Sequence, residues 1–494
     1  MAFRSLADFL EQLGHAGELV RVDAEVDPIE EIAEITRRAA RRGNPALLFG
    51  SVCGRDFPVV TNLLGSEGRI AQALAAPSLA DVAARVAGWI EQDGARGWLG
   101  RVVGALGASA EAATPRKLHA GACQQVVRLG RDVDLDRLPM LTDAAGQPAP
   151  ALTAAVALSI EPDTGRVVAG RLPLARVDSK RLAVGWTEFD ELGSLHHLYR
   201  RRRQPMPLAV VLGGDPALLL AASAPLPAPS HVLRVAGLLR GKPVDVVPGR
   251  AVDIEAPADA EWVIEGFIDP DEPDVEVGPW PAPCGRLVGP WLAPAVNIVA
   301  LTHRANPVVP AIVLGAPPHE MTAIDRAVQR AFAALVRQVV PGLTDYDLPD
   351  RGAARHVAVA SFHKTVAGQA HVVMGALGAI RPFSTTKLLV LVDAEVDVRD
   401  ARAVADALVA HVDPRADVTF QAAPADPWDP MAEPGRLGCR MLVDATRKLP
   451  GERGVAARST LAGRLAEADP SVRRRIDERW LEYGLGPALS AAPR

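Results

Sequence analysis

Behind Ser5, apolar residues recur at helical spacing (Leu6, Phe9, Leu10, Leu13), and the alternating run Leu19-Val20-Arg21-Val22 that follows reads as a strand. Asp27-Pro28 then opens a second helix, with Asp27 expected as N-cap and Pro28 at the first helical position. Ile29, Ile32, Ile35 and Ala39 would form its buried face. The runs Ala46-Leu47-Leu48-Phe49 and Phe57-Pro58-Val59-Val60 read as strands beside a turn at Cys53-Gly54. Helix, strand, helix, strand, strand describes a small α/β domain.

From about residue 85 to 115 the chain is rich in Ala and Gly and weakly patterned, as expected of a connection between domains. Residues 150–310 read mainly as strands: Ala154–Ile160, Arg181–Trp186, Leu208–Leu212, Val244–Val247, Trp262–Phe267 and Val296–Leu301. Gly, Pro and Asp turns separate them, the pattern of a barrel or sandwich interrupted by helices, and Pro307 and Pro310 are expected to end the block. Met321–Val339 is a long helix with Ile324, Val328, Phe332 and Val336 on one face. Strands at Val357–Ser361 and Leu388–Val392, with helices at Gly368–Leu377 and Arg402–His411, make a βαβ-like C-terminal domain. The tail, Val472–Tyr483, is a charged amphipathic helix whose Ile476 and Trp480 require a packing partner, either another domain or a second subunit.

Composition narrows the class. The chain has 494 residues, 49% apolar and 23% charged, which suits a soluble protein of two or three domains. A net charge of −5 gives no electrostatic reason to expect nucleic acid or an anionic membrane as partner. The run Arg200-Arg201-Arg202-Arg203 reads as a solvated helix end before Pro205. Cys53, Cys123, Cys284 and Cys439 lie far apart, without the spacing of a zinc site or a disulfide framework. No signal peptide is recognisable, and no stretch reaches the ~20 apolar residues of a membrane span. A cytoplasmic protein is expected.

A series of stretches in unbroken order resembles the UbiD family of reversible, non-oxidative decarboxylases. They include ADFLEQLGHAGELVRVDAEVDP (7–28), NPALLFGSVCGRDFPVVTNLLGS (44–66), EPDTG (161–165) and LAVVLGGDPALLLAAS (208–223). APADAEWVIEGFIDPDEP (256–273), GQAHVVMGAL (368–377) and GCRMLVDATRKLP (438–450) continue the series. The resemblance implies a mixed α/β (α+β) fold in which an N-terminal α/β domain and its connection span 1–115. A central split β-barrel would occupy 116–320; a linker helix, an α/β dimerisation domain and the tail would occupy 321–494. It also implies prenylated FMN with Mn²⁺ and K⁺, substrates that are aromatic, heteroaromatic or α,β-unsaturated acids, and a homodimer or higher oligomer.

In that family a covalent flavin adduct carries the unstable carbanion. A divalent metal bound by Asn, His and Glu anchors the cofactor phosphate, and an Arg with two acids orients substrate and delivers the proton. Neighbouring motifs locate each position here. Val168 stands for the Asn and Pro173 for the Arg, and no His occurs near Phe189-Asp190-Glu191. Counting back from Val252-Asp253-Ile254 puts Arg250 at the metal Glu. Gly278-Pro279-Trp280 fixes the two acids at Val277 and Ala282. Replacement candidates are few. Arg171, two residues from Pro173, would share its face at about 7 Å, or else be a solvated or structural arginine. Glu276 would serve as an acid only after a one-residue slip, which reverses the face of a strand. Arg250 would pair with Asp190 or Glu191, lie exposed, or bind a phosphate directly; Lys387 would lie near that phosphate or be a surface residue. His196 and His197 read as surface or packing residues, and His363-Lys364 has no assigned role.

Two readings follow, beside a third in which the chain is a conventional prenyl-flavin decarboxylase whose site residues lie at positions other than these. One is a homologue with a degenerate prenyl-flavin and metal site, acting as a structural or regulatory partner, of an active UbiD-type subunit among others. The alternative is a decarboxylase with a rearranged site. Prenylated FMN, Mn²⁺ and K⁺ are expected to bind weakly or not at all.

Overall fold

The computed structural model describes residues 3, 5–91, 113–186, 189–226, 231–349, 356–381, 383–432, 437–452 and 468–484. Ser5 caps the first helix, Leu6–His15, by accepting from the Asp8 amide, and Leu6, Phe9 and Leu13 of that helix are buried. The strand Leu19–Val26 runs parallel to Ala46–Val52, which pairs antiparallel with Val59–Thr61.

The second helix starts later than the spacing predicts. Asp27 accepts from the Ile29 amide at 2.7 Å and so caps a tight turn, while Glu30 sits at φ 64 and precedes the helix Glu31–Ala40. Ile29 lies in that turn, 59% exposed, and is no part of the buried face that Ile32 and Ala33 supply. The expected connection also begins in regular structure, because the helix Leu79–Glu91 continues through its first residues. Residues 92–112 of the expected connection lie outside the described residues.

Nine antiparallel strands form the central sheet. Its path runs Ala151–Leu152, Leu174–Arg176, Arg181–Val184, Ala295–His303, Trp262–Ile268, Met206–Leu212, Ala155–Ile160, Val167–Arg171, and Val126–Leu129 joins Ala295–His303 from outside it. A bulge between Glu265 and Gly266 helps curl the sheet into a half-barrel. Pro310 does not end this region as expected. It lies in the strand Val309–Ala311, which returns to the N-terminal sheet parallel to Val59–Thr61. A missing amide is tolerated there because the strand sits at the edge of that sheet.

The helix Glu320–Val339 packs against Leu79–Glu91 and leads into the C-terminal domain. Its five-stranded sheet has the order Leu343–Asp347, Val357–Phe362, Leu388–Asp393, Leu437–Asp444, Val418–Pro424, with the inner three strands parallel. Arg203 ends the helix Glu191–Arg202 in a left-handed conformation; Arg200 and Arg202 meet Asp274 and Asp163 at the surface. The tail is a helix, Pro470–Glu478, followed by a 3₁₀ turn, Trp480–Tyr483. No residue of either is fully buried. Among the described residues no helix is long and apolar enough to cross a membrane. The four cysteines are all free.

Candidate functional site

A large cleft opens between the half-barrel and the C-terminal domain, with about 2090 Å³ of empty space when its open mouth is included. The end of the Val167–Arg171 strand, the start of the Glu191–Arg202 helix and the Trp280–Pro283 segment form the barrel side. Tyr346, Arg381 and the Asp426–Trp428 turn close it from the C-terminal domain.

Arg171 reaches this cleft, where its Nε donates to Ser223 Oγ at 3.1 Å. Pro173 lines it too. Val168 does not: it is 1% exposed and packed in the core between the half-barrel and its neighbours. Phe189 lines the cleft where the resemblance places a metal-binding His. Asp190 and Glu191 also line it, each engaged by an arginine. Arg381 Nη2 meets Asp190 Oδ1 at 2.6 Å, and Arg166 Nη1 meets Glu191 Oε1 in a short contact.

Arg250 is elsewhere. Its side chain donates to Gln124 Oε1 at 2.9 Å and it is no part of the cleft wall, so the expected pairing with Asp190 or Glu191 is not made. The physical reason lies one strand away. Buried Glu265 accepts the amides of Arg250, Ala251 and Val252 at 2.9, 2.7 and 3.0 Å, which pins the turn to the Trp262–Ile268 strand. Lys387 is likewise outside the cleft wall, its Nζ 3.1 Å from Asp429.

Glu276 lies on the strand Val275–Val277 with its side chain exposed, while Val277 turns inward. Glu276 does not line the cleft, so Arg171 and Glu276 are not brought together. Ala282 is fully buried in an apolar cluster with Val277, Trp280, Val288 and Trp291. Trp280 and Trp291 stack with ring centroids 6.3 Å apart, and Trp428 meets both edge-on. The positions that the resemblance gives to two acids therefore lie in a buried apolar cluster, of which Trp280 reaches the cleft. Among the described residues no group of three or more His, Cys, Asp or Glu side chains is placed to hold a metal ion.

The structure adds a residue that the sequence did not single out. Asp143 follows the bridge between Leu141 and Ala151 and lines the cleft, yet it is only 1% exposed. Its Oδ2 accepts the Leu314 amide at 3.3 Å, and its Oδ1 has no hydrogen-bond partner. Gln147 Oε1 receives the Asp143 amide at 3.0 Å, and Arg37 Nη2 donates to the Asp143 carbonyl at 2.6 Å. Burial pushes the carboxyl up to about 6, against the pull of the Leu314 amide and Arg37. No motif marks this Asp; the only signal is a lone acid two residues after the apolar run Leu138–Leu141.

The remaining candidates are structural. His196 is buried beside Trp186, and loss of hydration holds its imidazole down at about 4. Lys364 is buried 2.7 Å from Glu452 and 2.9 Å from Thr446 Oγ1, tying the end of one parallel strand to the segment beyond another.

Comparison with known proteins places these features in a family. Three domain models of 3-octaprenyl-4-hydroxybenzoate carboxy-lyase match in order: the N-terminal domain at residues 10–86, the Rift-related domain at 116–317 and the C-terminal domain at 322–445. An uncharacterised protein of Synechocystis sp. is 33% identical across 98% of this chain and 96% of its own. The UbiD-class enzyme HmfF from Pelotomaculum thermopropionicum, solved in complex with FMN, is 29% identical over 95% of this chain and 98% of its own, with a TM-score of 0.71. Vanillic acid decarboxylase of Sedimentibacter hydroxybenzoicus in its closed form has the same fold, with a TM-score of 0.83, 24% identity and coverage of 98% and 99%.

Proposed function

The chain belongs to the UbiD family, and from that premise we propose that it is a ligand-binding structural or regulatory subunit rather than a conventional prenylated-FMN decarboxylase. The observation that carries this reading is the buried apolar cluster of Val277, Trp280, Ala282 and Trp291, which holds the positions expected for the proton-delivering acids. Proton delivery needs a titratable group within reach of the reacting carbon, and alanine and valine have none.

The donor set for the metal argues the same way. A divalent cation needs several oxygen or nitrogen ligands converging on one point. Val168 is core, Phe189 offers a ring face, and Asp190 and Glu191 are already held by guanidinium groups. The residues present do not fit a metal-bridged phosphate, and no step is derived through one.

The cleft is nevertheless large, so a ligand site has outlived that chemistry in this reading. Partners are proposed on the same footing. Phe420 and Leu437, each 69% exposed, stand on the outer strand pair of the C-terminal sheet. A second copy, or an active UbiD-type subunit, would cover them. Arg171 in the cleft is the one observation favouring a rearranged decarboxylase, and the exposed position of Glu276 counts against it.

Turnover decides between the two. The protein, co-expressed with a prenyl-flavin synthase, should release no CO₂ above background from aromatic and α,β-unsaturated acids and should exchange no deuterium into them. Sustained decarboxylation of any such acid overturns the proposal.

A further inference from the structure

The cleft lining carries five carboxylates (Asp143, Asp190, Glu191, Asp325, Asp426) against three guanidiniums (Arg171, Arg326, Arg381). Asp190 and Glu191 are answered by Arg381 and Arg166, and Arg326 leans on Glu67 at 3.8 Å. Asp143 is different. Arg37, the charged side chain that acts on it, comes from the helix Glu31–Ala40 and spends its hydrogen bonds on the carbonyls of Leu314 and Asp143 itself. One oxygen of a carboxyl buried in the cleft wall therefore lacks a donor. Such an oxygen keeps its desolvation penalty until something donates to it.

Two further features define the missing donor. The cleft wall that holds Asp143 also carries apolar Ile312, Leu314 and Met321 beside Gln147 and Thr153, and Trp280 and Trp428 line the same cleft. A carboxylate and aromatic rings lining one cleft are the combination that recognises an organic ammonium group, through a charge-assisted hydrogen bond and cation–π attraction. Resting on the reading of a ligand-binding subunit without metal-flavin chemistry, we propose that the cleft binds a cationic small molecule, an ammonium group on an aromatic or aliphatic body, whose N–H is received by Asp143. The ligand charge is then opposite to that of the carboxylic acids on which the family acts.

Calorimetric titration of the full-length protein tests this with benzylamine, benzyl alcohol and benzoate, which share a ring and differ in charge. Benzylamine should bind at least tenfold more tightly than either of the others. Asp143→Asn, which keeps shape and removes charge, should lose at least tenfold of that affinity. If that variant fails to fold, the wild-type pH series decides. With the Asp143 carboxyl near 6, benzylamine should bind about tenfold more weakly at pH 5 than at pH 7.5.

Equal affinity for amine and alcohol, tighter binding of benzoate, wild-type affinity in Asp143→Asn, or a flat pH series would each overturn the proposal. Failure here while the protein still releases no CO₂ and binds no metal-anchored flavin sinks the ligand assignment alone. Turnover of an acid sinks the parent reading first.

Discussion

Asp190 and Arg381 meet at 2.6 Å across the cleft, one at the start of a barrel helix and the other in the C-terminal domain. This pair occupies the neighbourhood where a metal ligand would stand, and it links two domains without a cation between them. Both partners are partly exposed, so solvent screens the attraction. Asp190→Asn should change global stability by less than about 1 kcal/mol. It should, however, raise amide hydrogen exchange in the adjoining turn Phe383–Thr385, because one of the ties across the cleft is gone. Unchanged exchange there would show that packing alone holds the cleft closed.

Arg250 and Glu265 make a second test by contrast. The arginine donates only to Gln124 among the bonds described for its side chain, and Arg250→Ala should leave stability within about 0.5 kcal/mol. Glu265 is 1% exposed and accepts three backbone amides, so Glu265→Leu strands three donors, that of Val252 buried. A loss of several kcal/mol is expected, at about 1.5–3 per charge-assisted bond. Urea denaturation of both variants checks the order; a larger loss for Arg250→Ala would refute it.

Much of the fold was legible because local rules and tertiary packing agree. The stripe Leu6, Phe9, Leu10, Leu13 and the Ser5 cap give the first helix as read, and two of the three parallel strands of the C-terminal domain stand where alternation put them; Leu437–Asp444 was not read as a strand. Asp27-Pro28 misled because an Asx turn and a helix N-cap share the same residues, and only the positive φ of Glu30 separates them. The return of Val309–Ala311 to the first sheet is a long-range pairing that no local pattern encodes. Strand period put Arg171 on the face of Pro173, and both line the cleft. Arg250 takes the exposed alternative of its reading and not the ion pair with Asp190 or Glu191, because counting from a motif fixes a position in the chain and not the side of the barrel it faces. Asp143 was missed because its significance is its burial and its orphan oxygen, neither of which is written in residue type.

Glu320 provides a pH test away from the cleft. It opens the linker helix, accepts the Leu64 amide at 2.7 Å, and is pushed up to about 7 by burial. Its folded value lies above the unfolded one, so the folded state binds the extra proton. Stability from this group is therefore greatest at acid pH and falls as pH rises from about 4.5 to 7. Glu320→Gln removes that dependence. The variant should match or trail wild type near pH 4.5 and exceed it at pH 8 by on the order of 2–3 kcal/mol, at about 1.4 per unit. Denaturant midpoints at several pH values give the difference curve, and a flat one would contradict a buried, titrating Glu320.

The central claim is that the UbiD fold here has lost the means to hold a metal-anchored prenyl-flavin. The most direct test is to co-express the chain with a prenyl-flavin synthase in manganese-supplemented medium. The purified protein is then assayed for metal content and its absorption spectrum recorded. With Val168 in the core, Phe189 at the cleft and Arg250 outside it, the account predicts manganese far below one per chain and no flavin band surviving gel filtration. Near-stoichiometric manganese together with tightly bound prenylated FMN would contradict it.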